Sequence, residues 1–140
     1  MGSFDLTLQG PIVPKARPRV SRGRAYMPKN YRQWKLGAIA ELRRQWGERS
    51  PIPHPVSVSI SLRGKHSRRG DLDNIAGAIL DALQDAGVLQ NDNSKAVPSL
   101  SIRLAHDPTI VPFASITLSR IKTPLEPEMG DQRAVNWSPR

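Results

Sequence analysis

Residues 56–62 (VSVSISL) alternate without interruption between apolar side chains and serines. Because successive side chains of a β-strand point to opposite faces, this period of two predicts a strand with one face against a core and the other in water. Shorter apolar patterns at residues 4–8, 100–104 and 113–118 predict three more strands. A second layer is therefore needed to cover the apolar face of a sheet.

Two segments have a helical period instead. The first runs from Asn30, as N-cap, to Gly47, as C-cap. The second runs from Asn74 to Ala86, and Gly87 ends it. Their apolar stripes are Trp34, Ala38, Leu42 and Trp46 in the first helix, and Ile75, Ile79, Leu80, Leu83 and Ala86 in the second. The predicted fold class is α+β: a small mixed sheet of about four strands with two helices packed on one face, in the order strand, helix, strand, helix, strand, strand.

The segment between the first strand and the first helix (GPIVPKARPRVSRGRAYMPKN, residues 10–30) is rich in proline and basic residues. Proline blocks helix, so we expect an extended basic arm rather than a regular element. In an extended chain Lys15, Arg17 and Arg19 project to one side at a spacing of about 7 Å, close to the step between phosphates of one nucleic-acid strand. A disordered basic tail is the alternative, although Tyr26 and Met27 offer anchors.

The charges are divided unevenly. The 140 residues carry a net charge of +9, with fifteen Lys/Arg and three acids in residues 1–70 but six Lys/Arg and nine acids in residues 71–140. This asymmetry favours a polyanionic partner, nucleic acid before others, although ribosome-associated or merely solubilising basic surfaces have the same composition. The predicted DNA-binding residues are Lys15, Arg17, Arg19, Arg22, Arg24, Lys65, Arg68 and Arg69.

Length and composition limit the domain organisation, the kinds of metal site and the location that the chain can have. We expect one domain over residues 1–121 and a flexible, proline-bearing tail over residues 122–140. The chain has no cysteine, which excludes disulfides and thiolate metal sites. No apolar run is long enough to span a membrane, and the first residues lack the pattern of a signal peptide, so a cytoplasmic protein is expected.

Acidic residues gather behind the basic block, in the stretch RRGDLDNIAGAILDALQDAGVLQND. Asp73 lies where a helix N-cap is expected, and capping would explain it alone, but capping leaves Asp71 without a role. Two carboxylates about 4 Å apart repel by roughly 4 kcal/mol at an effective dielectric near 20, and a divalent cation offsets that repulsion. An oxygen-only site suits Mg²⁺, with Mn²⁺ as a substitute. The three histidines, His54, His66 and His106, lack zinc spacing and are interpreted as surface or turn residues.

A third oxygen ligand is needed, and Asp92 is the candidate. The predicted helix spans about 17 Å, and five extended residues from Val88 to Asp92 reach about 16 Å. Asp92 can therefore return to Asp71 and Asp73 if the chain doubles back along the helix, or it can act in a second subunit. Acids surrounded by bases are what a metal-dependent nuclease requires, since the metal activates water while the cations hold the phosphates.

Two stretches together, PKARPRVSRGRAYMPKNYRQW and DLDNIAGAILDALQDAGVLQND, resemble the basic and acidic signatures of RusA-type Holliday junction resolvases. The resemblance covers about the first 120 residues. It implies a RusA-like fold and a homodimeric, Mg²⁺-dependent endonuclease that acts on four-way DNA junctions in recombination and repair. It also implies that Asp71, Asp73 and Asp92 are the catalytic metal ligands, with Asn74 alongside. No small-molecule cofactor beyond the metal is implied.

The sequence departs from the family pattern at two places. Asn91-Asp92 replaces a pair of acids, and Gly77 stands where the family has a functional lysine. We hypothesise that Lys65, Arg68 or Lys95 takes over part of that lysine's role, and that Asn74, Asp81 and Lys95 support the site. A junction-binding protein of the same fold with weak or no cleavage is the alternative that Gly77 motivates. An RNA-binding or ribosome-binding module is a third reading, which leaves Asp71 and Asp92 without a function.

Overall fold

The computed structural model describes residues 2–15, 17–53, 55–66, 71–93 and 95–121. The α+β class is confirmed, with two helices and a mixed four-stranded sheet. One further pair of short strands forms a separate hairpin. In chain order the elements are β1 (Ser3–Gln9), β2 (Arg19–Ser21), β3 (Arg24–Tyr26), α1 (Lys29–Trp46), β4 (Val56–Gly64), α2 (Leu72–Asp85), β5 (Ser99–His106) and β6 (Phe113–Arg120).

The main sheet has the strand order β1–β6–β4–β5, and every pairing is antiparallel except that of β4 with β5. Its register places apolar side chains in rows across all four strands. One such row is Leu6, Ile116, Ile60 and Ile102, and the neighbouring rows on the other side of the pleat carry mostly Ser and Thr. All apolar rows therefore share one face, and both helices pack on that face, as the alternation predicted.

Helix α2 connects the two parallel strands. Seven of its 14 residues are buried: Ile75, Ala76, Ala78, Ile79, Leu80, Ala82 and Leu83. Beyond the helix, the Val88 carbonyl accepts a hydrogen bond from Ile52 N–H (2.9 Å), and the Ala96 carbonyl accepts one from Val56 N–H (2.8 Å). These bonds place the end of α2 beside the beginning of β4, so that the helix runs antiparallel to the strand before it.

Helix α1 begins earlier than predicted. Its N-cap is Pro28, not Asn30, whose side chain instead accepts a hydrogen bond from Tyr31 N–H (2.9 Å). Proline suits a helix start because its φ is preset and it has no N–H to leave unpaired. The helix ends at Gly47, as predicted, with a φ of 73°. Its buried stripe is Tyr31, Ala38, Leu42 and Trp46, and Trp34 is half-buried beside it.

A side chain of α1 covers the outer edge of β1. Gln45 Oε1 accepts a hydrogen bond from Thr7 N–H (3.0 Å), and Gln45 Nε2 donates one to the Thr7 carbonyl (2.7 Å). Gln45 Nε2 also donates to Glu41, and hydrogen bonds from Arg44 and then Gln45 lower the pKa of Glu41 to about 2. The amide thus supplies the two bonds that a neighbouring strand would otherwise make with Thr7.

The basic arm was expected to be extended, without a regular element. It instead contains the β2–β3 hairpin. Its two-residue turn, Arg22 and Gly23, has φ values of 53° and 76°. Two positive φ values in a two-residue loop are typical of the turn whose twist matches that of a hairpin. All six strand residues are exposed. The arm therefore has defined local structure without a core of its own.

Helix α2 also begins earlier than predicted. Asp71 is its N-cap and Asp73 lies in its first turn, so the assignment of Asp73 to the cap was wrong by two residues. The predicted flexible tail, residues 122–140, lies outside the described residues. None of the helices described combines the length and the apolar character needed to cross a membrane.

Candidate active site at the start of helix α2

The end of β4 is held tightly before the chain turns toward α2. Gly64 has a φ of 93°, and a Cβ there would lie 2.8 Å from the backbone oxygens of Ile110 and Val111. Lys65 N–H donates to the Ile110 carbonyl (3.1 Å), and Asp107 N–H donates to the Gly64 carbonyl (3.2 Å). The connection between β5 and β6 therefore packs directly on this backbone, which accounts for a residue without a side chain at position 64.

Asp71 and Asp73 lie together at the first turn of α2. Asp71 has an extended backbone (φ −75°, ψ 146°) and makes no side-chain capping hydrogen bond; its carbonyl accepts those from Asn74 N–H (3.1 Å) and Ile75 N–H (3.3 Å). Asp73 Oδ1 accepts a hydrogen bond from Asn74 N–H (3.0 Å). Both residues are exposed. Capping therefore does not engage the Asp71 carboxylate, and the partial positive charge at a helix N-terminus favours two anionic groups there.

Asp92 lies in the loop beyond the other end of α2. Asn91 Oδ1 accepts hydrogen bonds from Asp92 N–H (2.8 Å) and Asn93 N–H (3.2 Å). Asn93 Oδ1 accepts from Lys95 N–H (3.0 Å) and Ala96 N–H (2.9 Å). These side-chain bonds hold the loop in successive turns, and they place Lys95 in the same loop as Asp92.

The three aspartates do not meet within one chain. Helix α2 has 14 residues, which at 1.5 Å per residue separate its ends by about 20 Å. Asp71 and Asp73 lie at one end, and the loop that contains Asp92 leaves from the other. Among the residues described, no group of three acidic or histidine side chains is close enough to hold a metal ion. The doubling back of the chain that the sequence permitted is not observed, and the joint action of the three carboxylates stays a prediction.

A different contact joins the basic arm to α2. Lys15 N–H donates to the Asn74 carbonyl (3.0 Å), and Lys15 Nζ lies 3.1 Å from Asp81 Oδ2. The same Asp81 oxygen accepts a hydrogen bond from the hydroxyl of Tyr31 (3.0 Å). Burial, and then the hydrogen bond to Asp81, raise the pKa of Tyr31 well above its usual value. Asp81 is thus occupied by two partners and links the arm, α1 and α2.

Gly77 lies directly under this contact. A Cβ at Gly77 would be 3.5 Å from Cδ of Lys15, which is an ordinary van der Waals distance. The lysine next to the position of the expected family lysine is therefore Lys15. Of the three substitutes hypothesised from the sequence, Lys65 follows β4, Lys95 lies in the loop of Asp92, and Arg68 falls outside the described residues.

The other predicted DNA-binding residues divide between the hairpin and its surroundings. Arg19 pairs with Tyr26 and Ser21 pairs with Arg24, so Arg19, Arg24 and Tyr26 project from one face of the hairpin. Arg22 is at its tip and Arg17 precedes it; all four arginines are exposed. Arg69, like Arg68, lies outside the described residues.

The histidines are not metal ligands in any described cluster. His66 is buried, with 4% of its surface exposed, and its Nε2 lies 3.0 Å from the Phe113 carbonyl. Of the two roles expected for the histidines, surface or turn, His66 has the second, since it follows the end of β4, but it is not exposed, because the connection between β5 and β6 covers the chain after Gly64. His106 ends β5, and His54 falls outside the described residues.

Sequence reasoning missed Tyr31 and the Lys15–Asp81 contact. Tyr31 lies three residues before Trp34, so it continues the apolar stripe of α1 by one turn, and this spacing could have identified it as buried. Nothing in the sequence pairs Lys15 with Asp81, which lies 66 residues away.

Comparison with known proteins assigns the chain to a family. The family model described as Endodeoxyribonuclease RusA matches residues 9–111, which include the arm, both helices and the loop of Asp92. The chain is also 34% identical over 95 residues to the Crossover junction endodeoxyribonuclease RusA of Aquifex aeolicus (strain VF5), a match that covers 66% of this chain and 75% of that relative. The chain therefore belongs to the RusA family of endodeoxyribonucleases, nucleases that act on the phosphodiester bonds of DNA.

Proposed function

We propose that this protein is a Mg²⁺-dependent endonuclease that resolves four-way DNA junctions by paired cleavage. The observation that carries the proposal is the juxtaposition at α2: two exposed carboxylates, Asp71 and Asp73, begin the helix onto which Lys15 of the basic arm is bonded. The name of the Aquifex relative, a crossover junction endodeoxyribonuclease, supports a junction as the substrate. We take residues 1–121 as the nuclease domain.

The donor set fits a hard divalent cation in part. Asp71 and Asp73 provide carboxylate oxygens that helix capping leaves accessible, and the chain has no cysteine to favour a softer metal. A bound Mg²⁺ would polarise a phosphoryl oxygen and lower the pKa of a water molecule. Two carboxylates from one turn of helix are few for such a site, so a further ligand is needed.

A second copy of the chain supplies that ligand in our proposal. Asp92 is held in a loop fixed by Asn91 and Asn93, at the far end of α2 from Asp71 and Asp73. In a two-fold symmetric dimer whose α2 helices run in opposite directions, Asp92 of each subunit lies near the start of the partner's α2. Such a dimer has two composite sites, which suits a substrate in which two strands must be cut.

The first experiment is cleavage of a synthetic four-way junction in Mg²⁺ by the wild type and by Asp73→Asn. We expect the wild type to cut two strands, and Asp73→Asn to bind the junction with cleavage reduced about a thousandfold, since a ligand carboxylate is lost. If the wild type retards the junction in a gel and leaves it uncut, the result would support the alternative of a binding protein. Preferential binding to duplex RNA in competition would contradict both.

The second experiment tests the composite site. Asp73→Asn and Asp92→Asn chains carrying different tags are co-expressed, and the species that holds both tags is purified. If Asp92 acts in the partner's site, this heterodimer keeps one intact site and nicks junctions at about half the wild-type rate. If each site belongs to one chain, both sites are damaged and the heterodimer is as inactive as its parents. Failure to recover any two-tag species contradicts the dimer.

A further inference from the structure

Lys15 differs from the other cations of the arm in being bonded to the acidic helix. Its backbone N–H donates to Asn74, the residue after Asp73, and its side chain then runs along α2 to Asp81. Positions 74, 77 and 81 lie on one face of a helix because they are three and four residues apart. The aliphatic part of Lys15 therefore crosses this face at Gly77, where its Cδ is 3.5 Å from the place of a Cβ.

The ammonium of Lys15 is held but accessible. Its partner Asp81 is also bonded by Tyr31, so that the carboxylate keeps a donor if the lysine leaves. The side chain of Lys15 is 46% exposed, against 16% for Asp81. Exposed ion pairs contribute little to stability because water screens them and the long side chain loses freedom. A phosphate that approaches the start of α2 can therefore draw the ammonium away from Asp81 at small cost.

We propose that Lys15 is the cation that binds the phosphate beside Asp71 and Asp73, and that Gly77 provides the gap through which its side chain reaches along α2. This inference rests on the proposed function. In the free protein Asp81 holds the ammonium on the correct face of the helix. In the complex the ammonium turns toward the phosphate and offsets the negative charge that would otherwise build up between the DNA and the two carboxylates.

The matched control is Lys35, whose ammonium lies 2.7 Å from Asp85 of the same helix. Lys35→Gln removes the same charge and the same kind of ion pair one turn beyond Asp81. In single-turnover cleavage at saturating protein, we expect Lys15→Gln to cut about 100-fold more slowly than the wild type, and Lys35→Gln to differ by less than about threefold. Lys15→Gln and Lys35→Gln showing equal rates would overturn the inference.

Restoring the charge from the helix itself gives a second test. In the Lys15→Gln background, Gly77→Lys places an ammonium on the same face of α2. We expect this double variant to cleave about tenfold faster than Lys15→Gln alone. Gly77→Gln, which has a similar stem without the charge, should recover nothing. Equal recovery by both would mean that filling the gap matters and that the charge does not.

A third measurement does not depend on cleavage. Reductive methylation of wild-type lysines, read by mass spectrometry with and without junction DNA in Ca²⁺, should show protection of Lys15 by DNA and none of Lys35. If Lys15→Gln cleaves slowly but DNA does not protect Lys15 of the wild type from methylation, the role of Lys15 is structural and the phosphate contact is overturned. If the wild type cleaves nothing but Lys15 is protected, the nuclease proposal fails and the phosphate contact stands.

Discussion

Helix α2 and the β2–β3 hairpin carry the two kinds of charge that a nuclease needs, and they are built in opposite ways. Half of α2 is buried against the sheet and the neighbouring α1, whereas every residue of the hairpin strands is exposed. A carboxylate that ligates a metal must be held closely in place, so it benefits from a packed element. Phosphate contacts depend less on exact placement and gain from an element that can adjust to the DNA.

The hairpin depends on its two ends for its position. A two-stranded hairpin is marginally stable alone, and this one is joined to the domain by Lys15 on one side and by the bond from Arg32 Nε to the Met27 carbonyl (3.0 Å) on the other. The packed helix and the exposed hairpin should therefore respond differently to substitution, and three sets of variants can break or sharpen this comparison.

The largest difference is expected in the core. Leu83 is fully buried in α2, and Val20 in the hairpin is 73% exposed. We expect Leu83→Ala to lower the free energy of unfolding by about 3–5 kcal/mol, because it removes buried methyl groups and leaves a cavity. Val20→Ala should change it by less than about 0.5 kcal/mol. Urea unfolding measures both. Similar losses in the two variants would show that the hairpin folds as part of the core.

The reverse difference is expected in DNA binding. Arg19→Gln and Arg24→Gln in the hairpin should each weaken junction binding and reduce the slope of log K against log salt by about 1, since each removes a cation that we propose contacts one phosphate. Neither should change the unfolding free energy by more than about 0.5 kcal/mol. The control is Arg103→Gln on the hydroxyl-rich face of the sheet. A salt slope that is the same in all three variants and the wild type would remove the hairpin from the DNA interface.

The smallest difference is expected between two tyrosines. Tyr31 is buried and donates to Asp81, while Tyr26 on the hairpin is exposed. Tyr31→Phe should lower the free energy of unfolding by about 0.5–1.5 kcal/mol at neutral pH. Tyr26→Phe should not change it measurably. Burial and Asp81 raise the pKa of folded Tyr31 above that of the unfolded chain. The unfolded state therefore loses its proton first, and the contribution of Tyr31 falls as pH rises above about 10.

Urea unfolding at neutral and alkaline pH separates this effect from the titration of lysines. The difference in unfolding free energy between the wild type and Tyr31→Phe should narrow as the pH rises past about 10. A gap for Tyr31 that is constant with pH would contradict the raised pKa.

The elements of the packed layer were predictable from the sequence because each is long enough to show its period. The alternation at residues 56–62 and the helical stripe from Ile75 to Ala86 both require a covered face, and both were confirmed. The caps were misplaced by about two residues, since Pro28 and Asp71 begin their helices without a side-chain capping bond that could mark them.

The hairpin and the relation of the three aspartates were not predictable in the same way. Strands of three residues are too short to show a period, and Arg22-Gly23 lacks the Asn-Gly or Asp-Gly signal of a tight hairpin turn. The place of Asp92 depends on the direction of α2 against the sheet, which follows from the parallel pairing of β4 with β5 and not from chain length alone. Lys15 and Asp81 meet only through the packing of the arm on the helix.

The amide of Gln45 has a consequence for how copies of the chain can associate. Because it bonds to both backbone groups of Thr7, Gln45 blocks the sheet edge formed by β1. A strand of another chain can therefore pair with β1 there only by displacing Gln45. Strand pairing between copies of the chain is thereby directed to the edge formed by β5. Open-ended polymerisation needs two edges on every molecule that can pair, so it is disfavoured at its first step.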